Sequence, residues 1–128
     1  MLAASLLLAA TTVACGKASG GADTSGGQAA SGSLQIAEND AGFEPRAVTV
    51  AAGRPLRLTF TNKGRVIHNL RIAGPDGRFN TADDTVLGDP VVQPGQSAST
   101  EWTPPSQPGA LAFRCDAHPT HTGTVTVR

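Results

Sequence analysis

From Leu34 to the C-terminus, apolar and polar residues alternate in short runs separated by glycine, proline and asparagine. The clearest run is Leu56, Leu58 and Phe60 against Arg57, Thr59 and Thr61, the pattern of a strand with one buried face. Leu34-Gln35-Ile36 opens the pattern, and Val48 and Val50 flank Thr49. Leu111, Phe113 and Cys115 share a parity, as do Val125 and Val127 in the closing run from Gly123 to Arg128. In Val66-Ile67-His68-Asn69-Leu70-Arg71-Ile72 the same rule groups His68 with Val66, Leu70 and Ile72 on the inward side. Ala98 to Thr103 carries Trp102 and stops at Pro104-Pro105, which cannot continue a central strand. Turns are expected at Asn39-Asp40-Ala41-Gly42, Ala51 to Pro55 and Asn62-Lys63-Gly64. No segment keeps a helical period, so the pattern predicts an antiparallel β-sandwich with a long polar interruption at Gly74 to Gln96.

The first third of the chain follows other rules. Met1 to Ala14 holds an apolar run, Leu2 to Ala10, too short to span a bilayer and followed by small residues. Residues 1–14 therefore read as a secretory signal. The small residues before Cys15 resemble a bacterial lipoprotein cleavage site, with Cys15 as the lipidated first residue of the mature chain. No basic residue precedes the apolar run, and Thr12 stands where leucine is usual. Residues 15–33 are mostly Gly, Ser, Ala, Thr and Gln and predict a flexible tether with a reach of about 20–25 Å. The expected placement is extracytoplasmic, anchored to a bacterial membrane, with one folded domain over residues 34–128.

Composition narrows the functional classes. Ten basic and ten acidic residues cancel, and the aromatics are four phenylalanines and one tryptophan. Neither a charge excess nor a stacking surface argues for nucleic acid. The two cysteines, Cys15 and Cys115, are not expected to pair, since one belongs to the flexible N-terminal segment and the other to an inward-facing strand end.

The candidate chemistry is concentrated in Cys115-Asp116-Ala117-His118-Pro119-Thr120-His121. His68 is the remaining histidine of three. One soft sulfur with imidazoles suits copper or, less selectively, zinc. A second cluster, Asp76 to Asp84, gathers Asp76, Asn80, Asp83 and Asp84 around Gly77 and is read as a calcium-binding turn, although its spacing is not that of an EF-hand.

Cys-x-x-His-Pro followed by a short valine-rich strand resembles the C-terminal ligand loop of the cupredoxins, in the short spacing of amicyanin-like members. Phe43 to Gly53, Leu56 to Asn62 and His68-Asn69 resemble the N-terminal half of the same family. The resemblance covers about residues 34–128 and implies a Greek-key β-sandwich with one mononuclear copper. It implies His68, Cys115 and His118 as equatorial ligands and Asn69 as the residue tying the two ligand segments together. Methionine usually supplies the last ligand, but Met1 is the only methionine and His121 stands at that position. His121 is therefore the expected axial ligand. The implied function is electron transfer by a monomer that docks redox partners near His118, not catalysis, since copper enzymes built on this domain need further ligands. Copper storage, delivery or resistance is the alternative.

Overall fold

The computed structural model describes residues 32–128, so the signal segment, Cys15 and most of the tether lie outside the described residues. Nine strands follow one another: β1 (Ser33–Asn39), β2 (Gly42–Glu44), β3 (Ala47–Val50), β4 (Leu56–Asn62), β5 (His68–Ile72), β6 (Thr85–Val92), β7 (Ser97–Trp102), β8 (Gly109–Arg114) and β9 (Thr122–Val127). They form a four-stranded sheet in the order β2-β1-β4-β7 and a five-stranded sheet in the order β3-β9-β8-β5-β6. The described residues contain no helix. This is an all-β sandwich of the cupredoxin-like, Greek-key kind.

Alternation sets what each sheet buries. Leu34 and Ile36 of β1 and Leu58 and Phe60 of β4 point into the same core as Leu70, Ile72, Phe113 and Val125 of the opposite sheet. Each such side chain contributes about 1.5–3 kcal/mol on burial. Phe43 packs edge-on against Phe113 with ring centroids 4.9 Å apart. The solvent face of the first sheet is held by cross-strand hydroxyl pairs, Thr59 with Ser99 at 2.9 Å and Thr61 with Ser97 at 2.8 Å.

Three features depart from the sequence reading. The sandwich is not purely antiparallel, because β1 pairs with β4 and β3 with β9 in parallel. The chain changes sheet between β2 and β3 and again between β3 and β4, and such crossovers bring strands back in the same direction. The polar interruption contains an eight-residue strand, β6, paired with β5 at the edge of its sheet. Gly88 and Pro90 conceal it in the sequence, and an edge position is where a strand tolerates proline. Val66, grouped inward by parity, is 46% exposed because β5 begins only at His68.

One end of the sandwich gathers the polar core. Glu38 near the end of β1, Asn62 at the end of β4, and His68 and Asn69 at the start of β5 are all buried. Asn62 shapes the approach to His68: its Nδ2 donates to the carbonyls of Val66 at 2.8 Å and Val92 at 2.9 Å, and its Oδ1 accepts from the Gly64 N–H at 2.8 Å.

Candidate metal centre

Glu38, His68, Cys115 and His118 each present one donor atom, and these atoms all lie within 4.8 Å of one another. Among the described residues this is the one group of three or more such side chains able to hold a metal ion. Three different parts of the fold supply it. Glu38 continues the inward parity of Leu34 and Ile36 on β1; His68 opens β5; Cys115 follows β8, and His118 lies in the loop to β9. The Cys115 Sγ stands 3.8 Å from Nδ1 of His68 and 3.7 Å from Nδ1 of His118. Cys115 is free and buried.

The ring of His68 is held on both sides. Its Nε2 faces Oδ1 of Asp40 at 3.4 Å, while its Nδ1 faces Oε1 of Glu38 at 2.9 Å. When Nδ1 binds a cation, Nε2 carries the ring proton and the Asp40 carboxylate is placed to receive it. Asp40 is itself fixed by the Arg65 N–H at 2.8 Å, which holds its carboxyl below the ordinary range, with His68 adding to the effect. Gly64 makes the approach possible: a Cβ there would run into Asp40 Oδ1 and come within 2.7 Å of His68 Nε2.

The electrostatics of the cluster point the same way. Burial pushes the Glu38 carboxyl above its ordinary range, although His121 and His68 pull it back. Burial also raises the Cys115 thiol, and the neighbouring Glu38 raises it further. Oε2 of Glu38 is the one buried side-chain polar atom among the described residues that has no hydrogen-bond partner. Burial thus disfavours the anionic forms of both the carboxyl and the thiol, and a metal ion would supply the positive charge that stabilises them and the partner that the orphaned oxygen lacks. The donor set of two imidazoles, a thiolate and a carboxylate fits a single type 1-like copper.

Hydrogen bonds fix the loop that carries Cys115 and His118. The Asn69 N–H donates to Cys115 Sγ at 3.4 Å. The Asn69 side chain donates to Asp116 Oδ2 at 3.0 Å and accepts from the Asp116 N–H at 2.7 Å, so it links the two ligand-bearing segments. Asp116 also receives Arg71 Nε at 2.8 Å, and Arg71 Nη1 reaches Asp84 at 2.9 Å. The Cys115 N–H donates to the His121 carbonyl at 3.1 Å, and the His121 N–H donates to the His118 carbonyl at 2.8 Å.

His121 stands outside the four-residue group and meets it through Glu38, with Nδ1 2.7 Å from Oε1. Sequence reasoning missed Glu38, although its parity with Leu34 and Ile36 was a signal: a carboxylate at a core-facing position needs a partner.

The turn expected to bind calcium makes many hydrogen bonds of its own. Oδ2 of Asp84 accepts from Arg71 and from the Asn80 N–H at 2.7 Å; Oδ1 accepts from the Gly74 N–H at 3.4 Å. Asp76 Oδ1 caps the Arg78 N–H at 2.8 Å, and Asp83 accepts Thr81 Oγ1 at 2.6 Å. Burial alone would raise Asp84, but Arg71 and the surrounding N–H groups hold it below the ordinary range. Asp76, Asp83 and Asp84 thus each accept hydrogen bonds from the turn itself, and Asn80 contributes its backbone N–H.

Comparison with known proteins agrees with this fold. Dithionite-reduced auracyanin from the photosynthetic bacterium Roseiflexus castenholzii superposes with a TM-score of 0.63 at 23% identity, covering 78% of this chain and 99% of that one. Auracyanin B gives 0.58 at 20% identity, covering 81% and 91%. A purple cupredoxin from Nitrosopumilus maritimus gives 0.53 at 22% identity, covering 73% and 98%. Likeness at this level of identity concerns the fold alone. No curated protein sequence matches the chain. The family model described as "Cupredoxin-like domain" matches residues 3–127, and the chain belongs to that family.

Proposed function

We propose that the protein is a mononuclear copper electron carrier whose metal is held by His68, Cys115 and His118, with an oxygen of Glu38 as the fourth donor. The observation that carries this reading is the convergence of those four donors around an oxygen with no partner in the chain. Bound copper supplies one-electron chemistry by passing between Cu(II) and Cu(I). The protein's task is to hold the donors still. The Asn69–Asp116 pair, the Asp40 carboxylate and the Asn62 side chain anchor the ligand segments, which keeps reorganisation small as charge changes. It acts as a carrier and not as an enzyme.

The carboxylate also sets the direction of the couple. Thiolate and carboxylate together neutralise a dication but leave one negative charge over when the metal is a monocation. Burial makes that surplus costly, so the site favours Cu(II) and works at a low potential. The same hard donor disfavours storage or delivery of Cu(I). His118 is only half-buried, and Val66 and Ile67, 46% and 41% exposed just before His68, offer apolar surface beside the site for a redox partner. A lipid on Cys15 and the tether of residues 15–33 would keep the domain at the outer face of a bacterial membrane while leaving it free to turn.

Titration of the purified domain with Cu(II), followed by visible and electron paramagnetic resonance spectra, tests the assignment. One equivalent should bind and give a thiolate-to-copper charge-transfer band that Cys115→Ser abolishes without loss of fold. A Ser variant with the wild-type spectrum would overturn the assignment.

A further inference from the structure

Five donor-bearing side chains surround a site that needs four, and the fifth has a distinct place. We propose that His121 is a positioning residue for Glu38 and not a metal ligand, an inference that rests on the copper reading above. Its Nδ1–H donates to Oε1 and fixes the carboxylate, leaving the unpartnered Oε2 for the ion.

Three observations support this division. His121 lies outside the group whose donors approach within 4.8 Å of one another. Its Nδ1 is 2.7 Å from Glu38 Oε1, the length of a charge-assisted hydrogen bond. Its backbone is pinned at both ends by the ligand loop, through the Cys115 N–H to its carbonyl and its own N–H to His118. The imidazole is therefore aimed by the same loop that carries the metal donors. The ring lies near those of His118 and His68, with centroids 5.1 Å and 5.8 Å away and planes tilted by only 21° and 28°. That stack limits ring rotation and keeps Nδ1 on the carboxylate.

The arrangement gives Glu38 what a lone carboxylate on a strand lacks. Without His121 the side chain has no N–H donor to choose its rotamer, and both oxygens compete for the ion. With it, one oxygen is held and the other is presented. Groups that orient a ligand in this way usually matter tenfold to a hundredfold in metal affinity.

The test counts imidazoles on the metal. Pulsed electron paramagnetic resonance of the Cu(II)-loaded protein with ¹⁵N-labelled histidine should show two coordinated imidazoles; three would overturn the proposal. His121→Leu should weaken Cu(II) binding by about 10–100-fold in a chelator competition, and His121→Gln, which retains an N–H donor, should restore most of it. In a Glu38→Gln background the His121→Leu effect should vanish. Full affinity in His121→Leu, or an effect that persists without the Glu38 carboxylate, would also overturn it. A wild-type protein with no bound Cu(II) signal would instead remove the copper reading on which the inference stands.

Discussion

Two clusters of oxygen and nitrogen donors in this molecule have opposite fates. The turn from Asp76 to Asp84 holds three carboxylates, yet its caps, Thr81 and Arg71 occupy them. The end of the sandwich holds a single buried carboxylate, Glu38, and one of its oxygens has no partner at all. The acid-rich segment bonds largely to itself, and the acid-poor one is the candidate metal centre. What separates them is unmet valence and not the number of donors, because a folded chain satisfies its buried polar groups unless something else is to satisfy them.

The largest effect should come from Glu38→Gln. Removing the charge while keeping the shape should weaken Cu(II) binding by about a hundredfold and raise the reduction potential. The stability of the metal-free protein in urea should hold or rise, since a desolvated charge is gone. A clear loss of metal-free stability would place Glu38 with the structural carboxylates and break the comparison.

Arg71→Ala is the converse. Arg71 bridges Asp84, whose side chain is 1% exposed, and Asp116. Its loss should cost about 2 kcal/mol in urea unfolding, below a fully buried pair because Arg71 is partly exposed. Asp84 also sets an acid limb. Its carboxyl is depressed below 3.8 in the fold, so the stability it adds is complete above about pH 4 and is lost as pH falls through the lower folded value. In the Arg71→Ala protein that acid-dependent loss should shrink; an unchanged acid limb would show that Arg71 does not hold Asp84.

A smaller effect is expected from Gly64→Ala. The added methyl meets Asp40 and the His68 ring, and should cost about 1–2 kcal/mol while shifting the Cu(II) spectrum. Lost stability with an unaltered spectrum would mean that Asp40 does not orient His68. The smallest effect is calcium on the metal-free protein: millimolar Ca²⁺ should move Tm by less than about 1 °C, because the carboxylates of the Asp76 to Asp84 turn already accept hydrogen bonds from the chain. A shift of several degrees would return that turn to the candidate sites.

Much of this architecture was legible in the chain, and the exceptions share a cause. Alternation identified β4, β8 and β9, the inward side of Cys115 and the inward turn of His68. It failed where a polar residue occupies a buried position. Glu38 and Asn62 each sit one step beyond an apolar series, Leu34-Ile36 and Leu56-Leu58-Phe60, and a charged or amide side chain there reads as the series ending. Both are buried because their partners come from elsewhere in the fold: His68 and His121 for Glu38, the carbonyls of Val66 and Val92 for Asn62. Pairing across the fold is invisible to local periodicity. The edge strand β6 was hidden for a different reason, since its Gly88 bends the chain at φ 78° and only Leu87 and Val92 are buried. For the acid-rich turn, composition shows donors but not which of them the chain already engages.

The most direct measurement is the crystal structure of the copper-loaded protein, with the ion located by anomalous scattering at the copper edge. The account predicts one ion in contact with Cys115 Sγ, the Nδ1 atoms of His68 and His118 and an oxygen of Glu38, with His121 hydrogen-bonded to that carboxylate. An ion bound by His121 with Glu38 turned away, or an ion in the Asp76 to Asp84 turn, would contradict it.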